Sequence, residues 1–119
     1  MEMMIQSTDL TDLEVEASDL EFRTVEETDE DGYEFKRIGF FKKGTNKLYG
    51  PARQIWQGLD IQEGMWKDDS LQGYGRECWW SGGYYQGTWK DDNYHGQGRH
   101  VNAEGGIEEG RFVDGELVE

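Results

Sequence analysis

From Leu20 onward, apolar and polar residues alternate in short runs broken by glycine and aspartate. Leu20-Glu-Phe22-Arg-Thr24-Val25 and Tyr33-Glu-Phe35 lie on either side of Asp29-Glu-Asp31-Gly32. A period of two marks a half-buried strand, and Asp-Gly is a strong hairpin signal. A hairpin over Leu20 to Phe41 is therefore expected. Further on, Gln62 to Trp66 and Gly73 to Trp80 read as strands around Lys67-Asp68-Asp69-Ser70, a polar turn in which Asp and Ser side chains bond turn amides. Ser81-Gly82-Gly83 leads into the next pair, Tyr85–Trp89 and Gly96–Val101. Before Leu20 the pattern is open. Leu10, Leu13, Ala17 and Leu20 fall at helical spacing, while Leu13, Val15 and Ala17 also alternate.

The pattern repeats. Placing Ile61–Gly83 above Tyr84–Gly106 gives 10 identities in 23 ungapped positions: Gly64/Gly87, Trp66/Trp89, Lys67/Lys90, Asp68/Asp91, Asp69/Asp92, Gly73/Gly96, Gly75/Gly98, Arg76/Arg99, Gly82/Gly105 and Gly83/Gly106. A further copy begins at Ile107. Another lies upstream, with Gly39 and Phe41 at the Gly-x-Trp positions, Gly50 at the Gly73 position, and two extra residues at Gly44–Lys47. A lone hairpin is marginal in water, so the copies must stack edge to edge. The expected fold is all-β: a single-layer, elongated, twisted antiparallel sheet of stacked hairpins, with an N-terminal hairpin capping its first edge. The expected units are an acidic tail (1–19), a capping segment (20–35) and an array (36–60, 61–83, 84–106 and a partial copy 107–119).

Gly-x-Trp, a polar turn, Gly-x-Gly, a short strand and a glycine turn together resemble the MORN repeat, over Lys36 to Phe112. The family usually has Tyr two residues before the first Gly. Only Tyr85 fits; Arg37, Gln62 and Glu108 stand at the other positions, and Ala52 replaces the second Gly of Gly-x-Gly in the first copy. These departures predict a less aromatic groove. The resemblance implies a small scaffold in a cytoskeletal, ciliary or membrane-associated complex, and a localisation in cytoplasm or cytoskeleton, including the cilium.

Charge narrows the partners. The net charge is −14, but residues 1–32 hold 12 acids against Arg23, whereas residues 33–53 hold six bases against Glu34. So acidic a chain is a poor match for duplex nucleic acid or anionic lipid, both of which need basic footprints. The acidic segment is expected to fold back on the basic one or to reach a basic partner. The single Cys excludes an internal disulfide and a Cys-based metal cluster. Met1 to Ile5 is too short for a signal peptide, and no apolar run has membrane-spanning length. An intracellular protein is expected.

Several residues are candidates for function. Trp56, Trp66, Trp79, Trp80, Tyr85 and Trp89 form an aromatic row that reads both as a stacking core and as a groove for a partner's helix or extended segment. Alternation sends Trp79 and Trp80 to opposite faces. Arg53, Arg76 and Arg99 recur at 23-residue intervals. They read either as an anion-binding stripe or as cross-strand partners of Glu63, Gln86 and Glu109. With Lys36, Arg37, Lys42, Lys43 and Lys47 they carry the alternative function, a peripheral phosphoinositide-binding module, which the overall charge disfavours. Asp68-Asp69 and Asp91-Asp92 lack EF-hand spacing and read as turns. His95 and His100 lack ligand partners at zinc spacing, and Cys78 reads as a small apolar strand residue. Gly73-Tyr-Gly75 and Gly96-Gln-Gly98 are not dinucleotide fingerprints, and Lys43-Gly-Thr-Asn-Lys47 is not a P-loop. Neither a catalytic constellation nor a cofactor is expected. The leading expectation is a non-catalytic, protein-binding adaptor or structural subunit.

Overall fold

The computed structural model describes residues 16–57 and 60–119. The helix-or-strand question over Leu10 and Leu13 lies outside them. Among the described residues, a 3-10 turn at Ala17–Asp19 is followed by nine strands: β1 Leu20–Thr28, β2 Glu34–Lys42, β3 Leu48–Trp56, β4 Asp60–Lys67, β5 Ser70–Cys78, β6 Tyr84–Lys90, β7 Asn93–Val101, β8 Ile107–Val113 and β9 Glu116–Leu117. They make one open antiparallel sheet in which every strand pairs with its sequence neighbours. Nine strands about 4.8 Å apart span about 38 Å, close to the longest dimension of 41 Å.

The two glycines of Gly-x-Gly have separate jobs. From Gly39 to Phe41, Gly64 to Trp66 and Gly87 to Trp89 the outgoing strand advances two residues while the return strand advances four. The return strands therefore bulge, and the middle residue of each bulge is Gly50, Gly73 or Gly96, at φ 86°, 100° and 92°. Side chains resist that backbone region. The second glycine serves close approach instead. Gly39, Ala52, Gly64, Gly75, Gly87, Gly98 and Gly110 stand opposite one another in one transverse row across seven strands. A Cβ on Gly64 would sit 2.5 Å from the Gly75 Cα, and one on Gly87 2.5 Å from the Gly98 Cα.

Rings fill the space above this row. Phe41, Leu48, Trp66, Leu71, Tyr85, Trp89 and Phe112 are buried together on one face. Trp66 Nε1 donates to the Ala52 carbonyl at 2.9 Å. Tyr85 stacks on Tyr94 with ring centres 3.9 Å apart and meets Trp89 and Phe112 edge-on. At the β1 edge Arg23 stands opposite Gly39, and its guanidinium lies 4.3 Å from the centre of the Phe41 ring. A flat single sheet cannot enclose side chains so completely. The bulges bend each strand, and the sheet curls: a sheet and its side chains occupy about 10 Å, whereas the smallest dimension here is 25 Å.

The two ends of the hairpins turn differently. At one end Asp68-Asp69, Asp91-Asp92 and Asp114-Gly115 form two-residue turns with both φ values positive, the arrangement that matches strand twist. Each turn docks on the previous return strand. Asp69 N donates to the Leu48 carbonyl at 3.1 Å, and Leu48 N donates to Asp69 Oδ1 at 2.8 Å. Asp92 and Leu71 exchange the same two bonds, and Gly115 N donates to the Tyr94 carbonyl. At the other end, five-residue loops Asp29–Tyr33, Trp79–Gly83 and Asn102–Gly106 share one bonding pattern. The first is longer than the two-residue turn that Asp-Gly signals, because Asp29 Oδ1 accepts from both Asp31 N and Tyr33 N. The β1–β2 hairpin thus carries the same loop as the connections between copies, and β1 takes the place of a return strand. The strand expected over Gly73 to Trp80 ends earlier: β5 stops at Cys78, so Trp79 and Trp80 belong to a loop.

Asp92 should separate the turn's two demands. Asp92→Asn keeps an acceptor and tolerates positive φ, so the melting temperature should hardly move. Asp92→Gly loses the acceptor for Leu71 N and should cost about 1 kcal/mol. Asp92→Ala adds backbone strain and should cost about 2 kcal/mol or more. Urea denaturation of the three variants measures this order.

Candidate functional site

Register decides which side chains share a face, since directly opposed residues point the same way. The core face also carries a row nearer the five-residue loops. Glu27, Phe35, Trp56 and Asp60 stand side by side on β1 to β4. The Phe35 and Trp56 rings are 4.6 Å apart. Phe35 and Trp56 from one end of their hairpin line a groove of about 530 Å³ together with Thr45, Asn46, Lys47 and Asp69 from the other end. The core face is therefore the concave one.

The six aromatic candidates separate into three environments. Trp66, Tyr85 and Trp89 are buried, at 2%, 0% and 4% exposure. Burial pushes the Tyr85 hydroxyl up to about 12 and raises Tyr94 as well. Trp56 and Trp79 are half-buried on the concave side, where Trp79 packs against the core and meets His100 edge-on at 5.7 Å. Trp80 sits at the loop, 73% exposed.

Between the aromatic mouth and the core runs a row of Arg37, Gln54, Gln62, Glu77, Tyr85, His100 and Glu108; Arg37, Gln62, Tyr85 and Glu108 share one repeat position in the sequence, and register brings Gln54, Glu77 and His100 between them. Its first four members are chained. Arg37 Nε donates to Gln54 Oε1 at 2.9 Å, Gln54 Nε2 to Gln62 Oε1 at 3.3 Å, and Gln62 Nε2 to Glu77 Oε2 at 3.1 Å. Arg37 also donates to the Asn46 carbonyl and pairs with Asp69, so the longer first turn is held over the core. Where the repeat pattern has Tyr85, this copy has a buried arginine doing the covering. Burial raises the Glu77 carboxyl above its usual range, against the hydrogen bond from Gln62. His100 Nδ1 lies 3.2 Å from Glu108 Oε1.

The opposite face holds the arginine ladder. Glu63, 1% exposed, stands between Arg53 and Arg76 and meets both, at 3.3 and 2.5 Å. Arg99 pairs with Glu109 at 3.4 Å. Among the basic candidates of the first copy, Lys36 pairs with Glu26 at 3.8 Å and Lys47 with Asp68 at 3.0 Å, while Lys42 lies over Tyr49. Lys43 is exposed in the turn after β2, where its amide bonds the Asp19 carbonyl. Of the acidic segment, residues 1–15 lie outside the described residues.

The faces differ in charge as well as in rings. In the strands, the concave face carries five carboxylates (Glu21, Glu27, Asp60, Glu77, Glu108) to two guanidiniums (Arg23, Arg37). The convex face reverses this, with eight bases to five acids. The two guanidiniums of the concave face are engaged with the first turn. Alternation makes this sidedness computable only once register is known.

The Asp doublets are turn residues. Cys78, half-buried on the convex face between Ile61 and Tyr84, has its thiol pushed up by burial. Among the described residues no three His, Cys, Asp or Glu side chains are grouped to hold a metal, and no helix is long and apolar enough to cross a membrane. The chain matches no protein-family model and no curated protein at a significant level.

Glu77 gives this site a pH signature. Its folded-state value is raised, so its ionisation opposes folding, and stability is recovered as pH falls through the raised value to the ordinary carboxylate one. Glu77→Gln keeps an acceptor for Gln62 and removes the charge. It should raise the melting temperature at neutral pH, and the advantage should vanish at acid pH. Thermal melts of both proteins across pH check the crossing.

Proposed function

We propose that this chain is a non-catalytic MORN-type repeat adaptor, and that its concave face holds a segment of another protein within a larger assembly. The observation that carries the reading is the division of that face. One half is closed as a core over the glycine row. The other half leaves Phe35 and Trp56 half-buried along an open groove and Trp79 half-buried further along the same side, against the core, and a single-layer sheet has no second layer to cover them. Aromatic anchors in partly desolvated pockets dominate protein interfaces. Cytoskeletal and ciliary complexes are where the family resemblance directs the search.

A second reading, a peripheral module for phosphoinositides, draws on the basic majority of the convex face. It is weaker, because Lys36, Arg37, Lys47, Arg53, Arg76 and Arg99 are each engaged by a carboxylate of the same chain.

Photo-crosslinking from defined positions tests the adaptor reading in extracts of the native source. A benzoylphenylalanine at position 56 or 79 should capture the same discrete partner, and one at position 74 on the convex face should not. In the same extracts, Trp56→Ala and Trp79→Ala should weaken recovery of that partner, by roughly 2 kcal/mol at the more central ring, with Trp79→Ala melting below Trp56→Ala because its ring also packs against the core. Equal capture from both faces, or unchanged recovery by both variants, would contradict the adaptor reading.

A further inference from the structure

The mouth of the groove has its own chemistry. Glu27, Phe35, Trp56 and Asp60 form an unbroken cross-strand row, a carboxylate at each end and two touching rings between. The Glu27 Oε1 oxygen is buried and has no hydrogen-bond partner. A buried carboxylate oxygen left unpaired costs free energy until a donor meets it. The neighbouring groove wall offers no spare cation, because Arg37 is committed to Gln54, the Asn46 carbonyl and Asp69, and Lys47 to Asp68. Asp60 already accepts from the Trp80 amide at 3.2 Å through Oδ1, which ties the far end of the row to the loop that carries the exposed indole.

A flat, delocalised cation suits such a row. Guanidinium stacks on aromatic faces, donates in the plane of its fork, and sheds water more readily than ammonium. Resting on the reading that the groove takes a partner segment, we propose that the Glu27–Phe35–Trp56–Asp60 row is a receptor for an arginine of that segment. The guanidinium lies against the Phe35 and Trp56 rings and donates to Glu27 Oε1, and Asp60 closes the row. The partner segment is therefore basic. The carboxylate excess of the concave face extends the same preference along the groove, so basic residues beyond the anchoring arginine are favoured there.

The test uses the whole chain and short synthetic peptides that share one apolar frame and carry arginine, citrulline or glutamate at the polar positions. Citrulline keeps the shape of arginine and removes its charge. Binding is followed through the indole N–H resonance of Trp56 in two-dimensional NMR. The arginine peptide should shift that resonance and bind about tenfold or more tightly than the citrulline peptide, since the charged contact is the difference between them. Glu27→Gln, isosteric with the parent side chain, should lower affinity for the arginine peptide to the citrulline level while leaving citrulline binding unchanged and the free protein at least as stable as the parent. Equal binding of the arginine and citrulline peptides at Trp56 would overturn the receptor and leave the groove reading standing. So would arginine-peptide binding that Glu27→Gln does not weaken. If no peptide shifts Trp56, the receptor is overturned, while the groove reading stands or falls on its own crosslinking result.

Discussion

Aromatic rings laid against bare backbone hold this protein together. Across seven strands the transverse row reads Gly39, Ala52, Gly64, Gly75, Gly87, Gly98, Gly110, and the buried rings lie over it. A flat ring on a glycine pair reaches contact distance with the chain itself, so a single sheet builds a closely packed core without a second layer. The constraint is strict. A Cβ on Gly98 would run into the hydroxyl and ring of Tyr85, and one on Gly75 would meet Leu71 and Trp89 at 3.2 Å.

The rest follows from keeping that row in register while the sheet curls. The bulges around Gly50, Gly73 and Gly96 absorb the bend, and the aspartate turns bind each hairpin to the one before it. Because the curl closes only half of the concave face, the other half becomes a trough lined by rings and carboxylates. Alternation then sorts charge between the two sides. The acids of the first strands, the turns and the concave face dominate the composition, whereas the convex face is mostly basic and largely self-paired. Net charge alone describes neither face.

Much of the fold was legible because the repeat states the same instructions more than once. The all-β character, the hairpin succession and the turn role of Asp68-Asp69 and Asp91-Asp92 follow from period and residue type. What could not be read was contact across the repeat. The Asp69-to-Leu48 and Asp92-to-Leu71 bonds join residues 21 positions apart, and nothing in local pattern announces them. Trp79 was read within a strand because alternation runs through Cys78 without a break; the five-residue loop depends on Gly82 and its backbone bonds. The candidate site was legible only in part. Tryptophans were found by type, but Phe35 entered through its register with Trp56 and Glu27. Arg37 looked like a surface base because it is one of six bases clustered in residues 33–53, whereas Gln54, the Asn46 carbonyl and Asp69 enclose it.

The central claim, that ring against backbone is the governing contact, is best measured by a double-mutant cycle between Gly98 and Tyr85. The Gly98 backbone angles are ones that other residues adopt, so Gly98→Ala tests space alone. Gly98→Ala and Tyr85→Leu should each destabilise the protein by about 2 kcal/mol or more in urea denaturation. The double variant should be less damaged than the two effects added, by about 1 kcal/mol or more, because the smaller side chain makes room for the new methyl. Additive effects would contradict the account, since they would mean that the tyrosine ring and the glycine backbone do not constrain each other.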